Sequence, residues 1–452
     1  MTAACLLLAG CEAPPREVWQ RPTAPPPAVI DCEHVPSDEY PVELPAFDLY
    51  VEWEDWDALH VDVTADVEVD ASVCFEGVRY PIELELQGAS SRKAAKKSFD
   101  FKFNRGRKLP GTVWSDGDGS EKIEKLFLKG MARDQSLIRE AVAFDLARAM
   151  GTDAPRNGFA NLRVNGQYWG LYVLVEPVGE DFLERRGYAP GGTLYKGVRT
   201  KDSLADFAEG RNLTKAFEDK TPRGMGDRED LKRLVAALQE TPLELTAFES
   251  AIDPIFSLDA YIDRMVWVAF TQNSDAAGQN FYLYNTPTET SDRWTQLPWD
   301  SDICCGAHWK SPDRIAGVEA WPMMDGGNHF SRRMLEIDAL HARYLARFRE
   351  LLDTVLTGEF AASRARAHGL HIAHDLALDQ RRWERAMSPQ TALDTVLDFF
   401  AGRPGFLQRE VGQRAAVDPG EALGSEQEAQ TEPEPEAEPE PEVEPETQAS
   451  PE

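Results

Sequence analysis

From about residue 46 to 104 apolar and polar residues alternate with period two, as in FDLYVEWE, HVDVTADVEVDASVCFEGVRY, PIELELQGAS and KKSFDFKFN. Each of these segments predicts a strand, and their short turn-like separations make the strands antiparallel neighbours in a small sheet. LFLKG at 126–130 predicts another buried strand. Residues 135–150 carry apolar side chains every three or four positions, with Asp134 or Ser136 as cap and Gly151 at the end, and predict a helix. FANLRV and LYVLVEPV are two further strands joined by NGQYWG, in which Asn165-Gly166 signals a hairpin.

After Gly191-Gly192 the period changes. Residues 228–240, 258–271, 331–356 and 360–376 all show helical spacing. The chain therefore reads as α+β and two-lobed, with a β-rich N-lobe at 46–190 holding one helix and a helical C-lobe at 191–417. A cleft between two such lobes is where ligands usually bind. No internal repeat is visible.

The 452 residues, 42% hydrophobic and 28% charged, suffice for one large core or two lobes. The net charge of −30 is unevenly spread: residues 418–452 hold 13 acidic residues and no Lys or Arg, which leaves −17 for the rest. Nucleic acid is excluded as a partner on this balance. The tail EPEPEAEPEPEVEPE has too little apolar surface to offset its ordering entropy, so an extended, solvated segment is expected. It reads as a solubilising tail, with cation binding or a spacer role as the functional alternative.

At the other end MTAACLLLAGCEAPP runs a short apolar segment into Leu8-Ala9-Gly10-Cys11, which resembles a bacterial lipoprotein signal. Residues 1–10 would be removed, Cys11 would carry the lipid that attaches the protein to a membrane outside the cytoplasm, and 11–45 would form a Pro-rich tether. No basic residue precedes the apolar segment, and the alternative is the ragged N-terminus of a cytoplasmic protein. With Cys5 removed and Cys11 acylated, Cys32, Cys74, Cys304 and Cys305 remain. Cys32–Cys74 is the expected bridge, and the adjacent pair reads as structural, with a vicinal disulfide as the alternative.

Candidate chemistry begins at SDAAGQN. Asp275 and Asn280 have the D-x-x-x-x-N spacing of a protein-kinase catalytic loop, in which the Asp accepts a substrate hydroxyl proton and the Asn oxygen binds magnesium. PWDSD adds Asp300 and Asp302, oxygen ligands of the kind a hard cation takes alongside substrate phosphates. The bland alternative is that both acids cap a turn after the strand around 294–297.

LQGASSRKAAKKSFDFKFN, LFLKGMARDQSLIREAVAFDLARAMG, VNGQYWGLYVLVEPVGEDFL, GGTLYKG, NSDAAGQNFYLYN and WTQLPWDSD together resemble the spore coat protein H (CotH) kinase family from about residue 80 to 305, and more loosely through the later helices. The resemblance implies an atypical protein-kinase-like fold, an ATP site with Mg2+, and transfer of the γ-phosphoryl group to Ser or Thr of surface or coat proteins.

Phosphoryl transfer calls for a cation on the phosphates, a carboxylate orienting that cation, metal ligands and a base. For the cation, Lys97 shares the period-two face of Phe99, Phe101 and Phe103, with Lys96 and Lys102 as competitors and a solvated edge charge as the alternative. For the carboxylate, Glu140 lies in the apolar stripe of Leu137, Phe144 and Ala147 and needs a partner, either Lys97 as in kinases or Lys129 in a purely structural pair. Gly88, Ser90 and Ser91, with Arg92 beside them, would approach phosphate oxygens or form a plain turn. Glu176, closing LYVLVE, resembles a lobe-joining segment whose backbone would meet adenine, or is an ordinary strand-end charge.

The leading expectation is thus an ATP-dependent phosphotransferase in which Asp275 is the base, Asn280 and Asp300 bind magnesium, Asp302 is a second ligand, and Lys97 is held by Glu140. The rival is a non-catalytic envelope or surface protein that uses the same scaffold to bind a partner. A carboxylate-based glycosidase would leave Lys97, Glu140 and Asn280 without a role.

Overall fold

The computed structural model describes residues 21–416 except 23, 34–39, 104–105, 118, 200–204, 209–211, 223–226, 287–292 and 309–314. The expected signal segment, Cys11 and the Glu/Pro tail lie outside the described residues.

The alternating segments of the first half form strands β1 (Ala46–Tyr50), β2 (Glu68–Phe75), β3 (Val78–Gln87) and β4 (Ser98–Lys102). A short ladder, β5 (Leu109–Pro110) with β6 (Lys122–Ile123), precedes β7 (Lys125–Lys129), β8 (Asn157–Val164) and β9 (Gln167–Val175). Instead of a small open sheet, seven of these strands close into a barrel in the order β1-β2-β3-β4-β7-β9-β8. Closure comes from a parallel pairing of β1 with β8, Ala46 opposite Asn161 through Leu49 opposite Val164, which satisfies two edges that would otherwise stay unpaired. One face of every strand fills the inside: Phe47, Leu49, Phe99, Phe101, Leu126, Leu128 and Leu174 belong to one buried cluster, with the Phe47 and Phe101 rings edge to face at 6.0 Å.

The second half of FDLYVEWE is not strand but the start of α1 (Trp53–Val61), which sends Trp56 into the barrel core against Trp169 at 5.2 Å. Helix α2 (Arg139–Ala149) packs on the outside. Alternation along β9 divides the labour: Tyr172 and Leu174 face the barrel core, whereas Leu171, Val173 and Val175 join α2 in the second and larger core.

Helices dominate from residue 180 onward: α3 (Glu180–Arg185), α4 (Leu213–Ala216), α5 (Glu229–Glu240), α6 (Leu245–Ile252), α7 (Leu258–Thr271), α8 (His329–Leu335), α9 (Asp338–Thr354), α10 (Gly358–Trp383) and α11 (Pro389–Ala416). The expectation of a helical second half, with one strand around 294–297, is corrected by a four-stranded antiparallel sheet of β10 (Thr193–Gly197), β11 (Phe217–Thr221), β12 (Phe281–Thr286) and β13 (Arg293–Pro298), ordered β11-β10-β12-β13. The helix expected over 331–356 is broken at Glu336-Ile337, and α11 continues through Pro404.

Cys32 and Cys74 form a disulfide that ties the segment before β1 to β2. Cys304 and Cys305 are buried free thiols with their sulfurs 3.0 Å apart. Among the described residues no helix is long and apolar enough to cross a membrane.

Candidate active site

The register of one hairpin builds half of the site. Phe281 at the start of β12 pairs with Pro298 at the end of β13, so Asn280 and Trp299 leave the same end of the ladder and their loops run side by side. Helix α7, capped by the Ser257 hydroxyl, delivers the first loop and ends at Gln272 in the left-handed region, φ 55°. The Asn273 amide donates to Ser301 Oγ at 3.0 Å and the Cys305 N–H to the Thr271 carbonyl at 2.7 Å, stapling the two loops together.

Within the first loop the Asp275 carboxylate accepts the Asn280 amide at 2.7 Å and the Gln279 amide. With its nitrogen committed, Asn280 keeps its amide oxygen as an acceptor for a cation. Asn280 and Asp300 both have positive φ, 55° and 51°. Non-glycine residues in that conformation cost energy and concentrate where function requires a fixed geometry.

The other half comes from the barrel's outer face. Lys129 follows Phe127 on the parity that leaves the barrel interior, because Leu126 and Leu128 point inward. Its Nζ donates to Glu140 Oε1 at 2.7 Å and to Asp300 Oδ1 at 2.5 Å, and lies 4.9 Å from the centre of the Trp299 ring. Glu140 sits in the first turn of α2, fully buried, and the same oxygen takes the Ser301 N–H at 3.1 Å. The helix starts at Arg139 rather than at 135, with Ile138 in the N-cap position and no side-chain cap there, although Asp134 accepts the Arg139 N–H at 2.9 Å.

Electrostatics follow from this crowding. Burial works against the Lys129 ammonium, but the carboxylates of Asp300, Glu140 and Asp302 outweigh it and raise its pKa. Burial raises the pKa of Glu140 against the pull of Lys129, while at Asp300 the adjacent Lys129 overcomes burial and lowers it. Burial and the Asp300 charge raise both Asp275 and Asp302. The site carries more negative charge than its lysine neutralises.

Lys97 does not meet Glu140. Its Nζ donates to the Arg92 carbonyl at 2.7 Å, and its charge is felt by His60 of α1. The parity argument was sound in grouping Lys97 with Phe99, Phe101 and Phe103, but that side is the barrel interior rather than the cleft; the pair with Glu140 belongs to Lys129. Lys96 is buried against Asp379 at 2.5 Å, and Lys102 bonds Glu68 and Glu85.

Gly88, with φ +100°, opens a turn whose residues Ser90–Lys93 form a short 3-10 helix. Arg92 there is engaged by Asp66 at 2.8 Å and Glu85 at 3.4 Å. The stretch after this turn comes close to Gly130, where an added Cβ would lie 2.8 Å from the Lys96 carbonyl oxygen. The Glu176 carboxylate is held by Arg156 and Arg185, each at 3.0 Å, and its backbone N–H by the Arg156 carbonyl; the ordinary strand-end role describes that side chain.

Lys196 was not singled out in the sequence. It is half-buried on β10, burial lowers its pKa, and the charges of Asp300 and Lys129 act on it. Its only signal was the buried-strand pattern of TLYKG.

Among the described residues no three His, Cys, Asp or Glu side chains converge to hold an ion alone. The donors present are oxygens, and the surplus of carboxylate charge over Lys129 is what a divalent cation would offset. This fits Mg2+, which takes one or two carboxylates and completes its shell with substrate phosphates and water.

The site joins a barrel-borne lysine, a helix-borne glutamate, a D-x-x-x-x-N loop and an acidic turn, the constellation that protein kinases assemble. The family described as CotH kinase protein matches residues 84–407, and the chain belongs to that family. The inner spore coat protein H of Bacillus subtilis strain 168 is 23% identical over 376 residues, 81% of this chain and 97% of that one. Invasin CotH3 of Rhizopus delemar is 24% identical over 346 residues, covering 73% of this chain and 55% of the relative. The solved Helicobacter pylori proinflammatory kinase CtkA aligns with 11% identity and a TM-score of 0.33 over 71% of this chain and 94% of that chain, a likeness too loose to carry weight.

Proposed function

We propose that the protein transfers the γ-phosphoryl group of ATP to Ser or Thr hydroxyls of surface or coat proteins. The observation that supports this most directly is the bridge from Lys129 Nζ to both Glu140 and Asp300, at 2.7 and 2.5 Å. In a kinase the lysine must be held by a helix glutamate and the metal-binding aspartate must be in place before transfer can occur.

Each residue then has a task. Lys129 neutralises phosphate charge, and Glu140, buried and in contact with the Ser301 N–H, keeps it from swinging toward solvent. Asp275, oriented by Gln279 and Asn280, accepts the proton of the acceptor hydroxyl; its raised pKa makes it a better base than an ordinary aspartate. Asn280 and Asp300, with Asp302 beside them, would hold Mg2+, which supplies charge neutralisation across the transferring phosphoryl group. Gly88, Ser90 and Ser91 are the segment proposed to cover the phosphates.

We further propose an extracytoplasmic location with attachment through a lipidated Cys11. The Cys32–Cys74 disulfide supports an oxidising compartment, and the names of the spore coat and invasin relatives agree with a surface role.

The test is incubation with labelled ATP, magnesium and candidate surface proteins, comparing wild type with Asp275→Ala. Label transfer lost in the variant supports the reading. Absence of transfer together with no thermal shift at millimolar nucleotide, where a ligand at 100 times its Kd should add roughly 2.7 kcal/mol, would favour the non-catalytic surface protein instead.

A further inference from the structure

One face of the four-stranded sheet carries a row of three side chains beside the Asp300 loop. Lys196 on β10 stands directly opposite Tyr282 on β12 and Glu218 on β11, and residues opposite one another in an antiparallel ladder share a face. Tyr282 fixes where that row lies: its ring is edge to face with Trp299 at 5.5 Å, and the Lys129 ammonium stands 4.9 Å from the centre of the same Trp299 ring. The backbone beside the row is tied to the Asp275 loop as well, since the Asn280 N–H donates to the Gly197 carbonyl at 3.1 Å.

Lys196 differs from its lysine neighbours in having no counter-ion. Lys129 is shared between Glu140 and Asp300, and Lys220 is paired with Glu218 at 2.8 Å, so the acid that faces Lys196 across the ladder is already engaged. The Lys196 ammonium makes no hydrogen bond or ion pair among the described residues. Nor is it sealed away: the residue is half-buried, and its Nζ is not one of the fully enclosed polar atoms that lack a partner. The charges of Asp300 and Lys129 act on it, and its own charge in turn lowers the pKa of Asp300. A partly desolvated, unpaired ammonium is costly and calls for an explanation.

We propose that Lys196 is a second phosphate-binding residue, which meets a ligand of more than one phosphate from the sheet side while Lys129 meets it from the barrel side. The proposal rests on the phosphotransferase reading above and adds to it a residue and a charge requirement. Lys129 already answers to two carboxylates, so a polyphosphate entering beside Asp300 brings negative charge that Lys129 does not neutralise. Lys196 has its charge free for that purpose. An ammonium on a flexible stem, with three donors, suits the oxygens of a phosphate chain, and such charge-assisted hydrogen bonds are among the strong ones. What Lys196 contributes is therefore affinity for the phosphates and not for the nucleoside.

The test is calorimetric titration of the full chain with magnesium ATP and with adenosine, for wild type, Lys196→Met and Lys196→Arg. Lys196→Met is expected to raise the Kd for magnesium ATP at least about tenfold and to leave adenosine within about twofold. Lys196→Arg keeps the charge and should recover most of the ATP affinity. A lysine with a structural role alone would move both ligands together or neither. Acetylation of wild type with an amine-reactive reagent, read by mass spectrometry, covers the case in which Lys196→Met fails to fold: Lys196 should be labelled in the free protein and protected by magnesium ATP but not by adenosine. Unchanged ATP affinity in Lys196→Met, an equal loss for ATP and adenosine, or labelling that ignores magnesium ATP or is blocked equally by adenosine would overturn the proposal and leave the phosphotransferase reading standing on wild-type nucleotide binding and transfer. Failure of wild type to bind magnesium ATP would remove both.

Discussion

Lys129 and Glu140 stand 11 positions apart in the chain and 2.7 Å apart in space, with the lysine at the end of a barrel strand and the glutamate in the first turn of the helix laid against it. Both are almost wholly buried, at 5% and 0% side-chain exposure, so neither charge can be relieved by water if the other is removed. Lys129→Met is therefore expected to lower phosphoryl transfer by at least about 10²-fold and to destabilise the fold by about 3–5 kcal/mol through the stranded Glu140. Lys97→Met should keep transfer within a few fold. Steady-state kinetics and urea unfolding of the two variants check this, and the reverse ranking would return the role to Lys97.

Asp275 and Asp300 flank the same cleft but differ in what surrounds them. Asp275→Ala removes the proposed base and leaves a half-exposed loop position, so transfer should fall by at least about 10²-fold with little change in stability. Asp300→Ala should also abolish transfer, and it removes the charge that raises Asp275 and Asp302. A carboxyl-detected NMR titration of Asp300→Ala should accordingly find the Asp275 pKa lower than in wild type. An unchanged or higher value would show that the two acids do not share one field.

Asp100 offers a pH test outside the site. It lies on the outer face of β4, only 4% exposed, and burial pushes its pKa up to about 6 although Lys125 at 2.6 Å opposes the shift. Between about pH 4 and 6 the folded chain then holds a proton that the unfolded chain has released, so this residue's contribution to stability falls as pH rises through that window. Asp100→Asn should stabilise the protein by about 2–3 kcal/mol at pH 7, with the gain vanishing below about pH 4. Thermal melts of both proteins from pH 3.5 to 7.5 decide it; a gain that persists at pH 3.5 would contradict the mechanism.

Arg403, fully buried in α11, donates to the carbonyls of Ala269 at 2.6 Å, Trp321 at 3.1 Å and Pro322 at 3.2 Å, and also reaches Val318. It thereby closes the C-terminal turn of α7, from which the Asp275 loop emerges. Arg403→Leu keeps much of the bulk but strands these acceptors, and should cost more than about 3 kcal/mol. A loss under about 1 kcal/mol in chemical denaturation would mean that water or neighbouring groups replace the guanidinium.

Much of this was legible in the residues. Period-two alternation located most of the barrel strands, helical spacing placed α7 at its observed bounds, and Asn165-Gly166 marked the β8–β9 turn. The D-x-x-x-x-N spacing and PWDSD named the acids that the β12–β13 register brings side by side. What escaped were elements whose local signal was short or mixed: the strands LYKG and FYLYN within a helical context, the helix α1 inside an alternating run, and α11 with an internal proline.

The choice between Lys97 and Lys129 shows where sequence ends. Alternation assigns each side chain to one of two faces and fixes Lys97 on the side of Phe99 and Lys129 on the side of Phe127, but it cannot say which side is enclosed. That was settled when β1 paired with β8, 115 residues away, and turned one face of the sheet into a sealed apolar interior. A charge bound for phosphate has to stand on the other face, where the helix carrying Glu140 and the loop carrying Asp300 can reach it. The chain by itself determined periodicity, the acids and their spacing; the long-range closure of the barrel decided which lysine they meet.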